Sequence, residues 1–169
     1  SLKVISDKCS YDSCRITRSD MNLRYVNRVH EYIDDKNLSY VFPYKWTYIW
    51  DECSDYMRER TNERMSEDLK FLFEDFKDNP KNPRNLFYIA QTYSGLGEWE
   101  KSLEWYKKRV AYEYKGFDEE VYNSMFRIAL ISDLKLNVSW EKVHQLYICA
   151  FENRPHRAEP LILIANHYF

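Results

Sequence analysis

The chain has 169 residues, a formal net charge of −2 and a pI near 6.1. This length allows one domain, or a small domain joined to a helical one, and is enough to bury a core. The near-neutral charge excludes a broad basic surface of the kind that holds nucleic acid or an anionic membrane. Only three glycines occur, which argues against a glycine-rich nucleotide-binding loop and favours long helices. No apolar run is long enough for a transmembrane helix.

The cysteines give an indication of the compartment. Cys9, Cys14, Cys53 and Cys149 are separated by 5, 39 and 96 residues, which matches no zinc-binding or redox motif. Reduced thiols in an intracellular protein are the ordinary interpretation of such a pattern. We therefore expect a cytoplasmic location.

Residues 23–33 show the first clear period, because apolar and polar side chains alternate there as in a half-buried β-strand. Near its end, His30 and Glu31 could act as a metal ligand, a general base or a grip on hydroxyl groups. Neighbours on a regular strand point to opposite faces, so both reach one site only if a bulge rotates the chain. Asn27, which tolerates left-handed backbone, makes a bulge possible. Without further context, a surface histidine beside a carboxylate is the simpler explanation.

Residues 34–37 predict a turn, after which aromatic side chains occupy every second position from Tyr40 to Trp50. Pro43 cannot donate a ladder hydrogen bond, so we expect an edge strand or an interrupted one. Residues 1–60 thus predict a β element of two or three strands, too small to be stable alone. Its aromatic faces could bind carbohydrate, although packing against the first helix is the simpler interpretation.

From about residue 64 the period changes to that of an amphipathic helix. A first apolar stripe runs from Met65 to Phe76 and is ended by Pro80. Asn82 is placed to cap a second helix, whose first residue is a proline, and residues 95–97 (Gly-Leu-Gly) predict its end.

The remaining helices follow in a repeating order. Apolar stripes begin at Trp99, after a capping residue at Asp118, at Trp140 and again in the last ten residues. Trp99 and Trp140 are 41 residues apart, and so are Tyr106 and Tyr147. Such a period is typical of paired helices that stack along the chain.

Three small residues recur inside this pattern. Ala90, Ala129 and Ala165 follow one another at 39 and 36 residues, and each lets the two helices of a pair approach closely. The predicted fold class is therefore mostly α. Helical hairpins, an α-solenoid, occupy residues 61–169 and follow the β-rich residues 1–60.

The helical pattern resembles the tetratricopeptide repeat, a helix pair of about 34 residues. The small residue of the family's first helix corresponds to Ala90, the loop glycine to Gly97 and the aromatic after it to Trp99. The aromatic of the second helix corresponds to Tyr106, and the closing proline to Pro80 and Pro155.

From residue 14 to 169 the chain also resembles the C-terminal part of a group of family 2 glycosyltransferases. In that group a nucleotide-sugar-dependent catalytic domain runs directly into tetratricopeptide-like helices. The stretches that carry the resemblance are Val29-His30-Glu31, Glu67-Asp68-Leu69, Phe87 to Tyr93, Arg109, and Gly116-Phe117 with Glu119-Glu120. Where the family commonly has the glycine of G-x-V-H-E, this chain has Asn27.

The resemblance implies that His30 and Glu31 lie near the acceptor side of a sugar-transfer site, and both are candidate catalytic residues. In the family, an Asp-x-Asp motif and a catalytic carboxylate further upstream bind the nucleotide sugar and a divalent metal, Mn²⁺ or Mg²⁺. Asp34-Asp35 and Asp51-Glu52 do not replace them, because both pairs read as solvated turns. We therefore expect this 169-residue chain to hold no cofactor itself.

The reaction implied for the intact parent is a direct displacement at the anomeric carbon. A carboxylate base deprotonates an acceptor hydroxyl while the metal stabilises the departing nucleoside diphosphate. We expect no transfer by this chain alone. Its first residues lack an initiator methionine and its last residues stop inside an apolar helical pattern, as expected for a piece of a longer protein.

A non-enzymatic scaffold is the alternative, in which the helical pairs form a concave groove for a partner protein, a peptide or a glycan acceptor. Four polar residues on the first helix of each pair are candidates to face that groove: Arg84, Gln91, Asn123 and Arg127. Their polar character would be explained equally well if they lay on helix faces exposed to solvent and bound no partner.

Overall fold

A computed structural model describes residues 1–6, 10–13, 16–17, 20, 23–33, 41–43, 45–50, 55–113 and 116–169. The chain divides into two compact units, Ser1–Glu63 and Arg64–Phe169. The first contains short strands and the second is helical. The predicted fold class, mostly α with a small N-terminal β element, is confirmed.

In the N-terminal unit, three strands form one sheet: β1 (Leu2–Ile5), β2 (Ser10–Ser13) and β5 (Tyr48–Trp50). β1 lies in the middle, antiparallel to β2 and parallel to β5. Val4 of β1 is opposite Ile49 of β5 and is almost fully buried. Neither β1 nor β2 was foreseen, because four-residue strands give too few alternations for a period to emerge.

The prediction of a single strand over residues 23–33 is wrong. Two short strands, β3 (Tyr25–Val26) and β4 (Tyr32–Ile33), pair with each other in antiparallel register. Between them the backbone is left-handed at Asn27 (φ 73°) and at His30 (φ 53°). Asparagine and histidine are among the residues that enter this region most readily. The alternation of side chains therefore belongs to a β-hairpin.

The aromatic segment that follows is interrupted, as Pro43 predicts. Trp46 N–H donates to the Pro43 carbonyl at 2.9 Å, which closes a turn. Only Tyr48–Trp50 then continue as a strand, at the edge of the sheet. Tyr40 and Tyr44 lie outside the described residues.

The described residues form six helices: α1 (Asp55–Asp78), α2 (Pro83–Gly95), α3 (Trp99–Ala111), α4 (Asp118–Leu134), α5 (Trp140–Asn153) and α6 (Glu159–Tyr168). Asn82 caps α2 as predicted, since its side chain accepts from the Arg84 N–H at 3.1 Å. Gly97 adopts the positive φ of 77° that separates α2 from α3. Asp118 was expected to cap α4 but is its first residue, and Phe117 takes the cap position.

The helices pair as the sequence predicts. α2 packs on α3 and α4 on α5, while α3 against α4 and α5 against α6 join successive pairs. Ala90 and Ala129 have no exposed surface, and Ser102 Oγ donates to the Ala90 carbonyl across the first pair at 2.8 Å. Ala165 differs from the prediction because its side chain is exposed.

The later part of α1 packs through aromatic side chains. Phe73 and Phe76 contact the Trp105 ring edge-on, with centroids 5.5 and 5.6 Å apart, and Phe73 also contacts Tyr93. Leu72 on the same stripe is buried. The α1 stripe predicted from its apolar period thus packs on the first hairpin.

Candidate functional site

The two candidate catalytic residues lie at the β3–β4 hairpin. His30 is the last residue of the bend and Glu31 immediately precedes β4. Both side chains are exposed. The left-handed backbone at His30 means that the two residues do not alternate as on a regular strand, which removes the objection that they must face opposite sides.

Arg84, a candidate groove residue, is engaged inside the helical unit. Its Nη1 donates to Glu120 Oε1 at 2.9 Å, and its Nη2 donates to the Tyr88 hydroxyl at 2.8 Å. The guanidinium also lies 4.8 Å from the centre of the Tyr88 ring. Burial raises the pKa of Tyr88 against the opposing effect of Arg84. Arg84 therefore joins α2 to α4.

The other groove candidates differ in exposure. Gln91 on α2 and Arg127 on α4 are exposed, and Asn123 on α4 is half-buried. α2 and α4 contact each other, so these residues lie on two neighbouring helices. Their role in binding a partner stays a prediction.

A buried charged cluster, which we call the Arg109–Glu120 cluster, was not expected as a site. Arg109 on α3 has no exposed surface, and its Nη2 lies 3.6 Å from Glu120 Oε2 on α4. Burial lowers the pKa of Arg109, while attraction to Glu120 opposes that shift. Because Glu120 also holds Arg84, one carboxylate joins three helices. The available signal was that Arg109 follows Tyr106 by three residues, at a core position.

A second network of ion pairs lies nearer the surface. Arg154 Nη1 is 2.6 Å from Glu119 Oε2, and Arg157 contacts both Glu119 and Glu159. Hydrogen bonding from Arg157 lowers the pKa of Glu159. Tyr122 lies beneath, with its ring centre 4.9 Å from the Arg157 guanidinium. This network joins the start of α4 to the α5–α6 loop.

A cavity of about 400 Å³ lies beside that network. Its walls come from the first turn of α4 and from the end of α5 with the loop that follows. The lining residues are Asp118, Val121, Asn153, Arg154, Pro155 and His156. Sequence reasoning missed this cavity, because its two walls are more than thirty residues apart along the chain.

Within the described ranges, no group of three or more His, Cys, Asp or Glu side chains is arranged to hold a metal ion. None of the described helices combines the length and apolar character needed to cross a bilayer. Comparison of the sequence with protein-family models found no match, and comparison with curated proteins found none either.

Proposed function

We propose that the chain is the C-terminal part of a glycosyltransferase that transfers a sugar from a nucleotide-sugar donor to an acceptor hydroxyl. Its helical hairpins serve as a structural or recognition module for the acceptor or for a protein partner. The observation that carries the proposal is the order of units: a small β unit with an exposed His30–Glu31 hairpin, then stacked helical hairpins. This is the order that the resemblance to the glycosyltransferase group implies.

The proposed role of His30 and Glu31 is to contact the acceptor. An exposed imidazole can donate or accept a hydrogen bond to an acceptor hydroxyl. The left-handed bend presents His30 at a turn, where functional residues often lie. Glu31, next to it, can accept a hydrogen bond from an acceptor hydroxyl.

A divalent metal, Mn²⁺ or Mg²⁺, belongs to the proposed parent enzyme. The described residues of this chain do not fit such an ion, since no suitable cluster of ligands lies among them. The proposal therefore assigns metal and donor binding to other parts of the parent enzyme. The chain by itself is then expected to show no transfer.

The proposed location is the cytoplasm. The spacings of the four cysteines, which match no zinc-binding or redox motif, support a reducing compartment. Cys149, the one cysteine among the described residues, carries an exposed thiol.

The alternative is a non-enzymatic scaffold of tetratricopeptide type. The exposure of Gln91 and Arg127 on neighbouring helices favours it, since both side chains are accessible to a partner protein. In that case the helical unit would bind its partner with no sugar transfer in the intact protein.

Substitution of His30 in the full-length protein tests the proposal. His30→Ala should lower transfer from a nucleotide sugar by about 100-fold if the imidazole moves a proton, with little change in melting temperature. His30→Asn is the second variant, because asparagine tolerates the left-handed backbone and separates lost chemistry from backbone strain. Arg24→Ala, exposed before β3, is the matched control.

Three outcomes would contradict the proposal. Unchanged transfer in both His30 variants would remove the histidine from the site. A large fall in melting temperature in the His30 variants would indicate that His30 has a structural role. Absence of transfer by the full-length wild type with every nucleotide sugar tried would leave the scaffold.

A further inference from the structure

We propose that the cavity between the start of α4 and the α5–α6 loop binds one neutral saccharide unit. The assignment rests on the recognition role proposed for the helical unit and names the class of molecule recognised. The lining combines a carboxylate (Asp118), an amide (Asn153), a guanidinium (Arg154) and an imidazole (His156). Such a mixture matches a ligand whose groups both donate and accept hydrogen bonds.

Arg154 is held in place before any ligand arrives. Its Nη1 lies 2.6 Å from Glu119 Oε2, and its Nε donates to His156 Nε2 at 3.3 Å. A guanidinium carries five N–H donors, so two fixed contacts leave donors for a ligand hydroxyl. Holding the side chain in advance reduces the entropy lost on binding.

The hydrogen bond from Arg154 indicates which nitrogen of the neutral His156 ring carries the proton. Because Nε2 accepts from Arg154, the proton of the neutral ring lies on Nδ1. His156 can therefore donate through Nδ1 while the Asp118 carboxylate accepts, and the Asn153 amide does both. Adjacent hydroxyls of a sugar ring, which both donate and accept hydrogen bonds, can use this combination.

The charge balance argues against an ionic ligand. The lining carries one carboxylate, that of Asp118, and one guanidinium, that of Arg154, so its formal charges balance. Glu119 lies outside the lining and pairs with both Arg154 and Arg157, and Arg157 also pairs with Glu159. A phosphate or sulfate would meet the Asp118 carboxylate, and a cation would meet the Arg154 guanidinium. A neutral ligand avoids both costs.

The size and the apolar part of the lining fit a single ring. A volume of about 400 Å³ lies at the lower end of the range for small-molecule sites, about 300–1,000 Å³. The exposed Pro155 supplies apolar surface for the C–H groups of a sugar face. With about a dozen non-hydrogen atoms contacting an open site, we expect a dissociation constant on the order of 1 mM.

Titration of the 169-residue chain with methyl glycosides of glucose, galactose, mannose and N-acetylglucosamine tests the assignment. Backbone amide signals are followed by NMR. At least one glycoside should shift the signals of Asp118, Val121, Asn153 and His156 in a saturable way. Asn153→Ala should weaken that binding about five- to tenfold, the loss of one hydrogen bond to a neutral group.

Two further variants make the result specific. Asp118→Asn keeps the shape of the side chain, removes its charge, and should weaken binding about tenfold, since a charge-assisted hydrogen bond is lost. Glu152→Ala, exposed on α5 outside the lining, should bind like the wild type.

The assignment is overturned if no glycoside shifts these signals, if both lining variants bind like the wild type, or if sodium phosphate shifts the same signals more strongly. Failure here is separable from failure of the proposed function. Sugar transfer by the full-length protein without saccharide binding by this chain would reject the cavity assignment alone. Saccharide binding without transfer would reject the enzymatic role and leave the cavity assignment standing.

Discussion

Neutralising Glu120 should destabilise the helical unit far more than removing the arginine beside it. Glu120 contacts Arg84 at 2.9 Å and Arg109 at 3.6 Å, and it is nearly buried. In Glu120→Gln the side chain keeps its size, but two guanidiniums lose their shared carboxylate. Arg109, without exposed surface, cannot turn to water.

The magnitude follows from the surroundings. Breaking a buried ion pair by removing one partner costs about 3–5 kcal/mol, because an uncompensated charge stays buried. Arg84 is partly exposed and Asp118 attracts Arg109, so we expect the lower end, about 3 kcal/mol. Arg109→Met should cost only about 1 kcal/mol, because methionine fills similar space and Glu120 keeps Arg84.

Urea unfolding followed by far-ultraviolet circular dichroism measures both free energies. Lys108→Met is the matched control on α3, since Lys108 is exposed and its contacts with Glu104 and with the Trp105 ring, 4.2 Å away, are together worth about 1 kcal/mol. The double variant Arg109→Met with Glu120→Gln should be more stable than Glu120→Gln alone, because the buried charge is gone. Equal losses in Glu120→Gln and in the Lys108 control, or a larger loss in Arg109→Met than in Glu120→Gln, would refute the reasoning.

Two other predictions concern the core of the hairpins. Ala90→Leu or Ala129→Leu should cost about 1–3 kcal/mol by overpacking, whereas Ala165→Leu at the exposed equivalent position should change the unfolding free energy little; equal effects at all three would contradict the packing. Burial raises the pKa of Tyr106 from 10.0 to about 12, so its stabilising effect is complete below pH 10 and is lost as pH rises towards 12, by about 3 kcal/mol. Tyr106→Phe should flatten that part of the alkaline stability profile, and an unchanged profile would exclude Tyr106 as its source.

The helical part could be predicted because its signals are local. Asn82 before a proline and Gly97 at a positive φ mark helix ends through backbone chemistry that acts within a few residues. The spacing of Ala90 and Ala129 predicts which helices pair, because close approach requires a small residue at each contact. Ala165 has a similar spacing but is exposed, so the spacing of small residues does not by itself predict burial.

The β-hairpin and the cavity could not be predicted, because the alternation of apolar and polar residues does not determine either of them. A period of two is shared by a continuous strand and by two short strands joined by a bend, and only the left-handed residues Asn27 and His30 distinguish them. Asp118 and His156 line the same cavity only because α4 packs against α5. No local sequence spacing predicts that arrangement.

The repeat itself shows that Arg109 is not needed to build a hairpin. The 41-residue spacing that relates Tyr106 to Tyr147 relates Arg109 to Ala150, and all four residues are buried. The second hairpin therefore places a small apolar residue where the first places a charge. The counter-ion of Arg109 is Glu120 on α4, in the next hairpin. Arg109 therefore forms an ion pair between the two hairpins. We expect its charge to favour the observed stacking of the two hairpins, because a displacement of α4 along α3 would separate a buried guanidinium from its counter-ion.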